Sequence, residues 1–177
     1  EIIDRGFEEG RIIPKPPQFE SGKKVAVIGS GPAGLAGAQQ LRRAGHMVTV
    51  YERDDRIGGL LRYGIPEFKM EKNVLDRRLQ QLSDEGVVFI ENANVGIDIP
   101  ISDIREKYDA ILLAGGATQS RDLPVPGREH NGVHLAMDYL SQQNKLCEGD
   151  KPNETFLNAY DKDVIIIGPI AKPSKPS

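Results

Sequence analysis

The sequence predicts an α/β fold with a central, mostly parallel sheet, and two features of the chain predict it. Short, continuously apolar runs rich in β-branched residues recur along the chain, as is typical of strands buried on both faces. Between them lie longer stretches in which apolar residues repeat at helical spacing, and several of these stretches end at a glycine. Strands that alternate with helices in this way favour a parallel sheet.

An N-terminal arm over residues 1–22 precedes the folded domain. Pro14, Pro16 and Pro17 make this stretch incompatible with a regular helix or a central strand. We therefore expect the domain to begin near Lys23.

The first folded unit is a strand, a tight glycine turn, a helix and a second strand. Residues 25–28 form the first apolar run, residues 33–44 carry apolar side chains at helical spacing and stop at Gly45, and residues 47–52 form the next run. This order is that of a βαβ unit.

The remaining elements follow from the same patterns. In chain order we expect a loop over 53–68, a helix with an apolar stripe from Met70 to Leu82 that ends at Gly86, a strand over 87–91, a short helix from about Pro100 to Lys107, a strand over 109–114, a helix around 135–143 and a strand over 163–168.

Charge and composition exclude several classes of partner. The 23 basic and 26 acidic residues leave a net charge of −3, so no basic surplus is available to neutralise nucleic-acid phosphates. No apolar run approaches the roughly 20 residues that span a bilayer, so we expect no membrane insertion. Cys147 is the single cysteine, which suits a reducing compartment such as the cytoplasm or an organelle matrix.

A glycine pattern lies directly between the first strand and the first helix. It reads Gly29-Ser30-Gly31-Pro32-Ala33-Gly34. The first glycine permits the tight turn, the second lets the backbone approach a pyrophosphate, and the third lets helix and strand pack closely. The positive end of the helix then faces the phosphates, which predicts a Rossmann-like dinucleotide-binding domain. The alternative is a glycine turn without a ligand.

Glu52 ends the second strand, 18 positions after Gly34, with Arg53 beside it. In such folds an acid at this place accepts hydrogen bonds from a ribose. Its charge would repel a 2′-phosphate, so NAD or FAD is favoured over NADP. The alternative is a solvated surface acid.

Two further glycine segments favour FAD. Gly58 and Gly59, followed by Leu60 and Arg62, fit a backbone that runs along an extended dinucleotide, as in two-domain flavoproteins. The segment Ala114-Gly115-Gly116 after a buried strand offers a second point of close approach. The alternatives are a plain glycine loop and a simple turn at the end of a strand.

The stretch from Val25 to Leu82 strongly resembles the FAD-binding portion of the small subunits of NAD(P)H-dependent glutamate synthases. The resemblance extends from about residue 1 to 168, and the segment GGLLRYGIPEFKM, residues 58–70, exceeds what phosphate binding alone demands. The flavin half of dihydropyrimidine dehydrogenase and adrenodoxin-reductase-like enzymes share the same layout.

The resemblance implies a function for the whole protein. Hydride would pass from NAD(P)H to FAD, and electrons would then pass singly through iron–sulfur clusters to a large subunit or domain, where an FMN reduces the imine of 2-oxoglutarate and ammonia to glutamate. It implies no catalytic side chain and no metal ligand here. The candidates to line the flavin ring are Tyr63, Gly64, Ile65, Pro66 and Lys69.

The sequence also departs from that family. In the family, the strand at 164–167 opens a second glycine fingerprint that binds NAD(P)H, whereas here Gly168 is followed by Pro169-Ile170-Ala171-Lys172-Pro173. We therefore expect the nicotinamide site and the iron–sulfur cysteines to belong only to a longer parent protein.

The predicted organisation is a Rossmann-like FAD-binding domain over 23–163, including a linker from about 118. Residues 164–177 are predicted to be a truncated start of the NAD(P)H-binding domain plus a polar tail. Such a chain should bind the ADP half of FAD better than the flavin half, and should not turn over. Two alternatives stay open: a module of another flavoprotein or NAD-dependent enzyme on the same fold, or a non-catalytic fragment that binds a nucleotide or a partner chain.

Overall fold

A computed structural model describes residues 2–117, 119–152 and 155–168. The described elements, in chain order, are α1 (Ile2–Glu8), β1 (Lys24–Ile28), α2 (Pro32–Arg43), β2 (Met47–Tyr51), α3 (Leu60–Tyr63), α4 (Lys72–Asp84), β3 (Val87–Ile90), α5 (Ile101–Lys107), β4 (Ala110–Leu113) and α6 (Ala136–Cys147).

The four described strands form one sheet in the order β3-β2-β1-β4, and every pairing is parallel. In the register of the sheet, Val27 of β1 lies opposite Val50 of β2 on one side and Leu112 of β4 on the other. The predicted α/β fold with a parallel sheet is therefore confirmed.

Alternate side chains of the central strands point to opposite faces of the sheet and belong to two separate hydrophobic cores. Val27 and Val50 are fully buried and pack with residues of α2 and α4, whereas Ala26 packs with Ile104 of α5 and with Tyr108, which follows α5. This alternation follows from the two-residue repeat of a strand. Because every pairing in the sheet is parallel, the carboxyl ends of all four described strands lie at one edge of the sheet.

Most predicted elements coincide with the structure within one or two residues. Two predicted helices differ in extent, and one further helix lies within a predicted loop. The stripe that begins at Met70 becomes α4 only from Lys72, the predicted loop over 53–68 contains the single turn α3, and the helix expected over 135–143 continues to Cys147.

The N-terminal arm is partly helical and is tied to the domain. The short helix α1 was not predicted, and Phe7 within it stacks under the guanidinium of Arg77 at 4.2 Å. Further along, the backbone N–H of Lys15 donates to the Glu85 carboxylate at 3.1 Å, and that of Ser21 donates to Gly45 at 2.8 Å.

The prediction of a strand over 163–168 is wrong. These residues are in no strand, and Ile165 and Ile166 are 87% and 90% exposed. An apolar β-branched run becomes a strand only when a neighbour supplies hydrogen bonds, and no described strand pairs with this one. The segment Pro169 to Pro173, on which the interrupted second fingerprint was inferred, lies outside the described residues.

No helix in the described part of the chain combines the length and apolar character that crossing a membrane requires.

Candidate functional site

The turn after β1 is shaped by two glycines that pack against the backbone. Gly29 has φ +103°, and a Cβ there would lie 2.5 Å from the carbonyl oxygen of Ala114. A Cβ on Gly34 would overlap the carbonyl oxygen of Gly29. These two positions exclude any side chain because neighbouring backbone occupies the space.

Three other glycines face open space. A Cβ on Gly31, Gly115 or Gly116 would meet no atom within 4 Å. Gly31 also has φ −65°, a conformation that any residue adopts. The fold therefore does not require glycine at position 31. The missing side chain instead keeps the space in front of the turn open, where a ligand could approach the protein backbone.

The second glycine segment packs directly on the first. The backbone N–H of Gly58 donates to the hydroxyl oxygen of Ser30 at 2.8 Å, and a Cβ on Gly59 would lie 3.0 Å from the Cα of Gly31. Both Gly58 and Gly59 have positive φ, at 134° and 53°. The loop before α3 is thus positioned by the same turn that begins α2.

Glu52 links the end of β2 to the glycine turn. Its Oε2 accepts a hydrogen bond from the backbone N–H of Ser30 at 3.0 Å and a second from the Ser30 hydroxyl, and its Oε1 accepts from the N–H of Asp54 at 3.0 Å. The residue is only 5% exposed. A carboxylate offers about four acceptor positions and three are occupied, so one remains for a hydroxyl of a ligand.

A pocket of about 610 Å³ opens at the carboxyl ends of the strands. This volume lies in the range of small-molecule sites. Its lining consists of Ile28, Gly29, Ser30, Gly31, Pro32, Tyr51, Glu52, Arg53, Asp54, Gly59, Leu60, Tyr63, Ala93, Asn94, Val95, Ala114, Gly115, Gly116, Ala117, Met137, Asp138, Ser141 and Lys145.

The structure thus brings most of the predicted binding residues to one pocket, but not all. Ala33, Gly34 and Gly58 do not line it. Ala33 and Gly34 lie inside the first turn of α2, while Gly58 faces Ser30 and the side chain of Leu75.

Arg62, predicted to bind the cofactor, is a structural residue. It is 5% exposed and donates to the carbonyl of Ile57 at 2.8 Å, to Asp76 at 2.5 Å and to Glu148. Two carboxylates already neutralise its guanidinium away from the pocket, because a buried cation must be paired.

Among the residues expected near a flavin ring, only Tyr63 lines the pocket. Its hydroxyl donates to Asp55 at 2.5 Å. Burial, reinforced by that carboxylate, raises the pKa of Tyr63 above its ordinary value. Burial opposes ionisation of Asp55, but hydrogen bonds from Tyr63 and Lys145 outweigh it and lower the pKa of Asp55. Lys69 lines a separate cavity beside α1.

Sequence reasoning missed two groups of pocket residues. Ala93, Asn94 and Val95 follow β3, and their position was available in principle, since ligands bind at the carboxyl ends of parallel strands. The residues of α6 carry no comparable signal. Asp54 also lines the pocket, and burial together with the charge of Glu52 raises its pKa.

No group of three or more His, Cys, Asp or Glu side chains in the described ranges could hold a metal ion. Cys147, at the end of α6, is a free and exposed thiol.

The parallel sheet, the glycine turn at the start of α2 and the acid at the end of β2 define a Rossmann-type nucleotide-binding domain. The chain belongs to the family described as pyridine nucleotide-disulphide oxidoreductase, whose profile matches residues 23–171.

Several curated proteins are similar to this chain. It is 58% identical over 172 residues, 95% of its length, to a protein of Mycobacterium tuberculosis named "Glutamate synthase [NADPH] small chain". It is 51% identical to the protein of that name from Bacillus subtilis, and 49% identical to a Schizosaccharomyces pombe protein named "Glutamate synthase [NADH]". The chain spans about a third of the bacterial small chains (35% and 34%) and 8% of the yeast protein.

Solved structures show the same fold. Mycobacterium tuberculosis FprA in complex with NADPH matches with a TM-score of 0.62 at 26% identity, over 73% of this chain and 29% of FprA. A 2-naphthoyl-CoA reductase complex matches with a TM-score of 0.57 at 26% identity, over 77% of this chain and 20% of the reductase.

Proposed function

We propose that this chain is the FAD-binding portion of a glutamate-synthase-type oxidoreductase that draws electrons from NAD(P)H. The observation that carries the proposal is the pair of hydrogen bonds from Ser30 to Glu52, which joins the glycine turn to the acid at the mouth of one pocket. The similarity to glutamate synthase small chains supports the particular enzyme class.

The residues present fit a dinucleotide diphosphate. The open space at Gly31 leaves the turn accessible, and Ala33 and Gly34 supply backbone N–H groups of the first turn of α2, which have no partner within the helix. The positive end of the helix favours negative charge at that place. The pyrophosphate of FAD would lie there.

Glu52 would hold the adenosine ribose. Its carboxylate is fixed in place by Ser30 and Asp54 and keeps one of its roughly four acceptor positions for a ribose hydroxyl. A 2′-phosphate at the same place would meet the negative charges of Glu52 and Asp54. This supports FAD over NADP as the occupant of this pocket.

When bound, FAD supplies the conversion of a two-electron hydride donor into one-electron steps. The residues of this chain that line the pocket would bind and orient the cofactor. We assign no acid, base or nucleophile to the described residues, because hydride transfer needs none.

The remaining parts of the proposal concern the parent protein. We propose that its nicotinamide site and its iron–sulfur clusters lie outside this chain, and that its electron acceptor is a glutamate synthase large subunit or domain. We further propose that it works in a reducing compartment, the cytoplasm or an organelle matrix, which the single exposed thiol of Cys147 suits.

Calorimetric titration of the chain with FAD, ADP and FMN tests the proposal. We expect FAD and ADP to bind and FMN to bind far more weakly, because the described contacts serve the adenosine diphosphate half. A chain that binds ADP but not FAD would instead support a fragment that only binds nucleotides. A chain that binds none of the three contradicts the proposal.

A further inference from the structure

Helix α6 forms one wall of the pocket, although no glycine or acid pattern marks it in the sequence. Met137, Ser141 and Lys145 all line the pocket, and they recur every four residues. Residues four apart lie on the same face of a helix. One face of α6 is therefore turned toward the space in which the dinucleotide would lie.

This wall is held against α3 and against the loop before it, which carries the second glycine segment. Asn144 is 2% exposed and donates to the carbonyl oxygen of Tyr63 at 3.0 Å. Just beyond the helix, Glu148 pairs with Arg62, and Asp150 pairs with Arg56 at 2.5 Å. A ligand would meet the wall already ordered, so binding need not include the entropic cost of ordering it.

Lys145 is the cation on that face. Its Nζ lies 3.0 Å from Asp55 Oδ1 and 5.4 Å from the centre of the Tyr63 ring. Asp55 also accepts from the Tyr63 hydroxyl at 2.5 Å and lies 3.4 Å from Arg56. Since an ammonium group has three donors, Lys145 can contact Asp55 and still donate to a ligand.

The positive charge of Lys145 matters because the pocket lining carries more acidic than basic side chains. Glu52, Asp54 and Asp138 line the pocket, and the cations among the lining residues are Arg53 and Lys145. Arg53 has a half-exposed side chain, 49%, and lies beside Asp54 at 3.8 Å. A pyrophosphate would bring further negative charge to a lining with an acidic excess, and Lys145, which also contacts Asp55, would oppose part of that repulsion.

We propose that Lys145 donates to a phosphate of the bound dinucleotide, and that α6 is therefore part of the cofactor site rather than of a linker. The inference rests on the proposed function, because it takes a dinucleotide as the occupant of the pocket. It adds a side-chain cation to a site that otherwise holds phosphate through backbone N–H groups.

The test compares Lys145→Met with Lys151→Met in the full chain, using calorimetric titration with FAD, ADP and adenosine. Lys151 is exposed and outside the pocket lining, so its variant makes the same change of charge without the contact. We expect Lys145→Met to weaken FAD and ADP binding about threefold to tenfold. This loss lies between the contribution of an exposed ion pair and that of a desolvated hydrogen bond to a charged group. Adenosine, which lacks phosphate, should keep its affinity within about twofold.

A second variant and a salt series separate charge from shape. Lys145→Arg keeps the cation and should retain FAD affinity within about threefold. Because salt screens the attraction between charges, the affinity of the wild type for ADP should fall with added salt more steeply than that of Lys145→Met. Equal losses for ADP and adenosine, or unchanged FAD affinity in Lys145→Met, would overturn the inference while leaving the proposed function intact. A wild-type chain that binds no FAD would overturn the proposed function itself.

Discussion

The buried carboxylate of Glu52 accepts a hydrogen bond from the backbone N–H of Ser30 at 3.0 Å. The two residues are 22 positions apart and belong to two different motifs, the glycine turn and the acid that ends β2. The hydroxyl of Ser30 also accepts from the N–H of Gly58 at 2.8 Å, so a third motif is joined to the same point. One serine thus sets the relative positions of the groups proposed to hold phosphate and ribose.

Replacing Gly31 with valine should abolish binding of FAD and ADP without loss of stability. A Cβ there would meet no protein atom within 4 Å and suits φ −65°, but a valine side chain would extend into the space in front of the turn. Removing glycine's freedom in the unfolded chain should even raise the free energy of unfolding, by roughly 0.4 to 1 kcal/mol. Calorimetric titration and thermal melting measure the two effects. Retained FAD affinity would count against the proposed site.

The matched control is Gly34→Ala. Its Cβ would overlap the carbonyl oxygen of Gly29, which belongs to the backbone and cannot rotate away. We expect the free energy of unfolding to fall by about 1 to 3 kcal/mol, the usual cost of an overpacked position. A melting temperature equal to that of the wild type would show that the turn is less tightly packed than described.

Glu52→Gln should weaken FAD binding roughly tenfold to a hundredfold. The variant loses the charge that strengthens hydrogen bonds from ribose hydroxyls, a contribution of about 1.5 to 3 kcal/mol. Glu91→Gln, an exposed acid just after β3, should leave the affinity unchanged. If both variants bind FAD as the wild type does, Glu52 is not the ribose acid.

The buried acid Glu85 should make stability depend on pH below about 4.5. Burial opposes its ionisation, but Arg43 at 2.5 Å, Lys15 and Gln39 outweigh that effect and lower the pKa of Glu85 in the folded state. The stabilisation is therefore fully present above the ordinary pKa of 4.5 and is lost as the pH falls through the folded value.

Urea unfolding of Glu85→Gln at several pH values measures this contribution. At pH 7 we expect the variant to be about 1 to 3 kcal/mol less stable than the wild type, and the difference to shrink below pH 4.5. Glu20→Gln, which removes an exposed partner of Arg42, should change the stability far less than Glu85→Gln does, because solvent screens an exposed ion pair. A difference between wild type and Glu85→Gln that grows in acid would contradict the assigned pKa direction.

NADH or NADPH added without oxygen should leave the bound flavin of this chain oxidised. Gly168 is followed by Pro169 rather than by a second glycine fingerprint, so no second dinucleotide site is predicted in the chain. Loss of the flavin absorbance on a scale of seconds would show that a nicotinamide site exists. Dithionite should reduce the same sample and serves as the control for a reducible flavin.

The parts of the fold that the sequence predicts well are those set by local pattern. The runs at β1, β2 and β4 are apolar on both faces, and α2 begins at a glycine turn with Pro32 and ends before Gly45, so their bounds follow from short stretches of sequence. The run at 164–167 has the same composition but is not a strand, because pairing depends on a neighbour that composition does not reveal.

Long-range ion pairs account for part of what the sequence did not reveal in the site. Arg62 follows the paired glycines and is predicted from the sequence to bind the cofactor, yet it is neutralised by Asp76 and by Glu148, 86 positions away. The contact of Asp55 with Lys145, 90 positions away, likewise turns a segment expected to be a linker into a wall of the pocket. Neither pairing follows from local spacing, since each depends on how α6 packs on α3.

The visible absorbance of the purified chain, recorded after saturation with FAD and removal of free flavin by gel filtration, tests the central claim most directly. We expect flavin bands in the near ultraviolet and blue at about one flavin per chain, and none in Gly31→Val treated in the same way. A wild-type chain that stays colourless, or a Gly31→Val variant as yellow as the wild type, would contradict the assignment of this pocket to FAD.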